Sequence, residues 1–367
     1  MEVGYNYPQP SNKLGLWIGP QNRRDLWPAD YAKQWKDLQW KTSIRDNLYI
    51  LHRHGIRVVR WFLLGNGFNY GVPPRKEVIR SPRDSTSAVF WHFDPPEKLD
   101  PLFLDHFKQL LDIHREVKMK MIPSLISFEF FATDKAEEGG GGRGEVATDW
   151  RKRNTFLFTV LGEFLRVSNA YRPWIKAWEV INEPAWDVRQ ITPFLRTGVA
   201  PHPPFVPQRD MNTFIQIAWH WIKDKGFAST VGHRFFSDLS EMPTGSLPQF
   251  HYYATKWPLS DPGTLPKATD AKGAFIGEFG SLIGQGYETN QTPNKASYGS
   301  PWTNELPGGQ DLDPKNTLYE RLKVMKDLGY ELALVWPEYE DKDINEKDAL
   351  KISPEKLTSI KRFFDSQ

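Results

Sequence analysis

Residues 178–184 read Trp178-Glu179-Val180-Ile181-Asn182-Glu183-Pro184. Glu183 stands at the end of this strand-like apolar run. A carboxylate at the end of an apolar run must pair, bind a ligand or do chemistry, because burying an unpaired charge is too costly. A second case is Ala274-Phe275-Ile276-Gly277-Glu278-Phe279-Gly280. Glu183 and Glu278 lie 95 residues apart, so different structural units must bring them together. Two such carboxylates at one place can act as acid/base and nucleophile.

Outward from this strand the chain alternates strand and helix. Strands are expected at Gly4–Tyr7, Ile56–Leu64, Met119–Ser127, Ile175–Asn182, His233–Ser237, Gln249–Tyr253, Ala274–Phe279 and Leu332–Trp336. Helices are expected at Ile44–His54, Asp100–Val117, Trp150–Ala170, Asp210–Lys225, Pro314–Leu328 and Pro354–Ser366. Ser43 with Asp46 has the spacing of a capping box, and Gly55, Gly226 and Gly329 read as helix stops. The four glycines Gly139–Gly142 fall in a loop over 128–149 that is expected to be mobile. The loops at 66–99, 128–149, 185–208 and 255–272 are expected to shape a cleft.

Eight strands interleaved with helices predict a single (β/α)₈ TIM barrel over residues 1–367. An open doubly wound sheet is the competing fold, but no glycine-rich nucleotide turn follows the first strand. Polar residues cluster instead at the C-terminal ends of the strands, where barrels keep their active sites. No linker with a composition shift and no long repeat divides the chain.

With 39% hydrophobic and 25% charged residues the composition is that of a globular protein. Basic and acidic side chains number 47 and 45, which argues against nucleic acid or an anionic membrane as partner. There is no cysteine, which excludes disulfides, thiolate metal sites and a cysteine nucleophile. The N-terminus does not read as a signal peptide, no stretch has the length of a membrane span, and no compartment is assigned. A monomer is expected. No His-Glu-x-x-His or EF-hand-like pattern supports a metal site. Aromatic residues reach 14% of the chain, and Trp17, Trp27, Trp91, Trp186, Trp257 and Trp302 fall in loop-like segments. Such rings anchor loops and stack on sugar faces.

The strand ends carry Arg60, Asn182 with Glu183, His251 with Tyr253, Glu278, and Trp336. On these residues the chain resembles the retaining β-glycosidases of glycoside hydrolase clan A, and is similar in pattern to family 5, the cellulase and β-mannanase family. The Asn182-Glu183-Pro184 segment and the apolar-strand Glu278 carry the resemblance, which spans the chain from first strand to last. Family 5 commonly has a histidine at the end of the third strand. This chain reads Ser127-Phe128-Glu129 there, and Ser127 or Glu129 is the candidate substitute.

The resemblance implies a poly- or oligosaccharide substrate, of β-glucan or β-mannan type, and no cofactor. It implies Glu278 as an ionised nucleophile, helped by Arg60 and Tyr253. It implies Glu183 as acid/base with a raised pKa. Asn182 would donate to the sugar 2-OH, His251 would bind the sugar or steer Glu183, and Trp336 would floor the sugar site. Glu129, Asp238, Glu241 and Glu338 are weaker acidic candidates. Alternatives are a clan A hydrolase acting on a microbial exopolysaccharide, a non-catalytic carbohydrate-binding barrel, and a metal-dependent barrel enzyme abstracting a proton.

Overall fold

The structure is a computed structural model, and it describes residues 1–7, 39–67, 72–80, 87–133, 136–188, 206–252, 265–279, 314–336, 352 and 354–367. In chain order the elements are β1 (Glu2–Tyr7), α1 (Gln39–Arg53), β2 (Ile56–Phe62), β3 (Arg75–Arg80), β4 (Ser87–His92), α2 (Pro101–Val117), β5 (Lys120–Ser127), α3 (Glu145–Thr148), α4 (Trp150–Phe156), α5 (Gly162–Ser168), β6 (Trp178–Asn182), α6 (Gln208–Asp224), β7 (Ser229–Gly232), α7 (Asp238–Glu241), β8 (Gln249–Tyr252), β9 (Phe275–Phe279), α8 (Pro314–Asp327), β10 (Leu332–Val335) and α9 (Pro354–Asp365).

Eight strands form one parallel sheet in the order β7-β6-β5-β2-β1-β10-β9-β8. The open edges β7 and β8 meet through His251 N–H donating to His233 O at 2.8 Å, beside a parallel bridge of His233 with Phe250. This is the expected (β/α)₈ barrel. Its strands are buried on both faces, which is why they read as near-continuous apolar runs. The main core lies between strands and helices, around Trp61, Phe107, Phe164 and Trp178.

Four expectations are corrected. The fifth barrel strand is Ser229–Gly232, not His233–Ser237. The short Ser-Thr-Val-Gly segment pairs with Trp178 and Glu179, whereas Phe235 and Phe236 lie exposed beyond it. Helix α1 starts at Gln39, so Ser43 and Asp46 sit inside the helix, where short polar side chains are tolerated at small cost. The proline-containing loop after β2 holds a two-stranded antiparallel hairpin, β3–β4, whose first strand is exposed along its length and so has little apolar signal.

The fourth correction is the glycine run. Gly139–Gly142 is buried and packed around Arg143. The Arg143 guanidinium donates to the carbonyls of Gly141 at 2.6 Å, Gly67 at 2.9 Å, Val72 at 3.0 Å and Gly139 at 3.0 Å. A side chain at Gly141 would place its Cβ 2.1 Å from Ala132 O, and its φ of +64° disfavours other residues. These glycines serve close packing, not freedom.

Candidate active site

Strand register assembles a polar layer inside the barrel. Asn6 lies opposite Arg60, Ser124 opposite Glu179, Glu179 opposite Thr230, and His251 opposite Glu278. Arg60 is fully buried at the centre. Its Nε and Nη2 donate to Glu179 at 2.9 and 2.6 Å, and Nη2 also donates to Asn182 Oδ1 at 2.7 Å. Nη1 donates to Asn6 Oδ1 at 3.0 Å and to Glu278 Oε1 at 2.5 Å. Every guanidinium N–H therefore has an acceptor. Burial works against the charge on Arg60, but Glu179 and Glu278 outweigh it and hold its pKa up.

Glu179 is the residue that sequence reasoning missed. It is fully buried and also accepts from Ser124 Oγ at 2.5 Å and Gln249 Nε2 at 2.8 Å. Gly277 makes room for that amide, because a Cβ there would lie 2.2 Å from Gln249 Nε2. Asn6 and Gln249 were missed with it. The signal was available for Glu179, a carboxylate inside the same apolar run as Glu183. The register of β6 against β7 shifts between Glu179 and Asn182, so residues three apart both reach Arg60.

Glu183 follows β6 with left-handed backbone, φ 49° and ψ 49°. For a non-glycine residue that costs about 1–3 kcal/mol and persists only where surroundings impose it. Its N–H is fixed on Gly232 O at 2.6 Å, and Pro184 starts the next turn. One carboxylate oxygen accepts from Trp186 Nε1 at 2.9 Å, and the other lies 2.8 Å from His251 Nδ1. His251 Nδ1 is also 3.3 Å from Glu278 Oε2. Donor atoms of Glu183, His251 and Glu278 all fall within 4.8 Å of one another. Among the described residues this trio is the cluster spaced to share a cation, although Arg60 already sets a positive charge against Glu278.

The expected raised pKa at Glu183 is corrected. Burial pushes it up, but the hydrogen bond and charge of His251, the Trp186 indole N–H and the charge of Arg60 outweigh burial, and the net direction is down. Glu129 does the opposite. Burial, with smaller help from the charges of Glu183 and Glu278, pushes it up to about 7 against its hydrogen bond from Ser127. Ser127 donates to Glu129 and lies 3.3 Å from Asn182 Nδ2, so both stand-ins for the missing histidine sit at the barrel mouth.

Trp336 is half-buried just past β10, with its N–H on Phe279 O at 2.8 Å and its ring edge-on to Phe62. Phe62 in turn lies under the Arg60 guanidinium. Asp238 lies in α7 near the mouth, and burial pushes its pKa up. Glu241, at the end of α7, takes no part in the Arg60 network. Tyr253, Glu338, Trp17, Trp27, Trp257 and Trp302 lie outside the described residues, as do 189–205 and 255–264 of the expected cleft loops.

No family model matches the chain, and no curated protein matches it either. Solved structures do. A β-1,4-mannanase from the sea hare Aplysia kurodai is 17% identical, with TM-score 0.58 over 98% of this chain and 92% of that one. A β-mannanase from the blue mussel Mytilus edulis is 14% identical, with TM-score 0.56 over 98% and 91%. A GH5_18 protein of Bifidobacterium longum, solved with Manβ1-4GlcNAc, is 11% identical, with TM-score 0.54 over 100% and 78%. At such identities the likeness establishes the barrel fold.

Proposed function

We propose that the chain is a retaining β-glycoside hydrolase acting on β-linked poly- or oligosaccharides, with Glu278 as nucleophile and Glu183 as acid/base. The observation that carries this is the spacing of the two glutamates, whose closest donor atoms lie within 4.8 Å. Retaining enzymes hold their carboxyl groups about 5–5.5 Å apart, inverting ones about 6.5–9.5 Å. Likeness to mannanase barrels supports a β-mannan backbone over a β-glucan.

In this reading Glu278, paired with the Arg60 guanidinium, attacks the anomeric carbon as the carboxylate. The bond to the leaving oxygen breaks as that oxygen takes a proton from Glu183, and the lowered Glu183 pKa confines this step to acidic pH. Water then gives a proton back to Glu183 and attacks the same carbon, releasing Glu278. Asn182, oriented by Arg60, presents its amide toward the sugar 2-OH, and Trp336 floors the site. The test is the anomer first released from β-1,4-mannan, followed by proton NMR before mutarotation. β-Configured reducing ends are expected. An α-configured first product, or no sugar released from neutral and acidic β-linked glycans alike, would refute the proposal.

His251 sets the pH range. It is the leading influence lowering the Glu183 pKa, so its loss should raise that pKa. A higher pKa keeps the acid protonated to higher pH, and the basic limb of kcat/KM should move upward in His251→Ala. An unmoved limb would separate His251 from the proton on Glu183.

A further inference from the structure

Contacts run outward from the barrel axis in a fixed order. Arg60 holds Glu278, His251 bridges Glu278 and Glu183, Trp186 donates to Glu183, and Arg234 lies over Trp186. The Arg234 guanidinium carbon is 4.4 Å from the Trp186 ring centroid and 4.5 Å from that of Phe235. Arg234 is only 8% exposed, and its Nε is buried with no hydrogen-bond partner. Its nearest acid is Asp238, at 3.9 Å from Nε, whose carboxylate already accepts the Phe235 N–H at 3.2 Å. No described residue accepts a hydrogen bond from this guanidinium.

The charge of Arg234 is countered by Asp238 and by the two rings, but its donor fork makes no hydrogen bond among the described residues and is free for a ligand. The best complement to a planar fork is a carboxylate, bound through two parallel hydrogen bonds. Glu129, Glu183 and Glu278 would repel that anion at the Glu278 end, whereas beside Arg234 the described acid is Asp238, whose carboxyl burial pushes toward the neutral form. The anion belongs beyond Glu183, where the leaving sugar would lie. Phe235 and Phe236, 45% and 42% exposed, offer apolar surface beside it. We propose that Arg234 recognises a carboxylate-bearing sugar in a subsite on the leaving-group side of Glu183, making acidic β-linked glycans the substrate class. This rests on the glycoside hydrolase reading.

The experiment compares two disaccharides that share a β-linked mannose at the non-reducing end and differ only in a glucuronate or a glucose at the reducing end. Binding to Glu278→Gln is measured by calorimetry. The glucuronate sugar should bind about tenfold tighter or better, with the preference shrinking as salt is added. Adding Arg234→Met should bring the two affinities together, while Arg234→Lys keeps part of the difference. Equal affinities, no binding of either sugar, or a preference that survives Arg234→Met would overturn the proposal. Hydrolysis of both disaccharides by the unmodified protein is assayed in parallel. Failure to cleave either one beside an intact glucuronate preference would refute the hydrolase reading and leave the acidic-sugar site standing.

Discussion

Glu278→Ala should lose turnover of an aryl β-mannoside by about four to six orders of magnitude, the scale of removing a covalent nucleophile. The variant keeps Arg60 bonded to Glu179, Asn182 and Asn6, so the barrel should still fold. Glu183→Ala should lose less, about two to four orders, and least on aryl glycosides whose leaving group needs no proton. Azide distinguishes the two roles. In Glu183→Ala the glycosyl-enzyme ester still forms, and azide attacking it from the side of the departed group gives a β-azide. In Glu278→Ala azide takes the place of the nucleophile and gives an α-azide. Near-unchanged turnover in Glu278→Ala, or the two products exchanged, would overturn the assignment.

Arg60→Met should be the most destabilising substitution at the site, by about 3–5 kcal/mol in denaturant unfolding. Methionine replaces much of the stem volume but leaves Glu179 and Glu278 as buried carboxylates without their cation. Asn6 and Asn182 lose their donors as well. The double change Arg60→Met with Glu179→Gln should recover part of the loss, because one uncompensated charge is removed with the arginine. A loss under about 1 kcal/mol for Arg60→Met would mean that the layer is not held by this ion network.

Much of the site is legible from residue type and position. Arg60, Asn182, Glu183, His251 and Glu278 each end or nearly end a strand, and the structure brings all five into contact. Trp336 is placed one aromatic ring away, through Phe62. Glu179 is legible as a carboxylate inside an apolar run, but its pairing with Arg60 is not, because that depends on a register shift that no local pattern encodes. The true fifth strand, Ser229–Gly232, was hidden for a related reason. Four small residues buried between two neighbours have little hydrophobic signal, and the more apolar Phe235-Phe236 lies just past them.

The sequence by itself determined the barrel and marked out the two glutamates and most of the residues that the structure gathers around them, because a carboxylate closing an apolar run must pair, bind a ligand or do chemistry. The tertiary structure alone decided the protonation tendencies. Glu183 is pulled down by His251 and Trp186, which lie on other elements or beyond its strand, while Glu129 is pushed up by burial. A pKa answers to solvent exclusion and to charges within a few ångströms, and neither exists until distant segments meet.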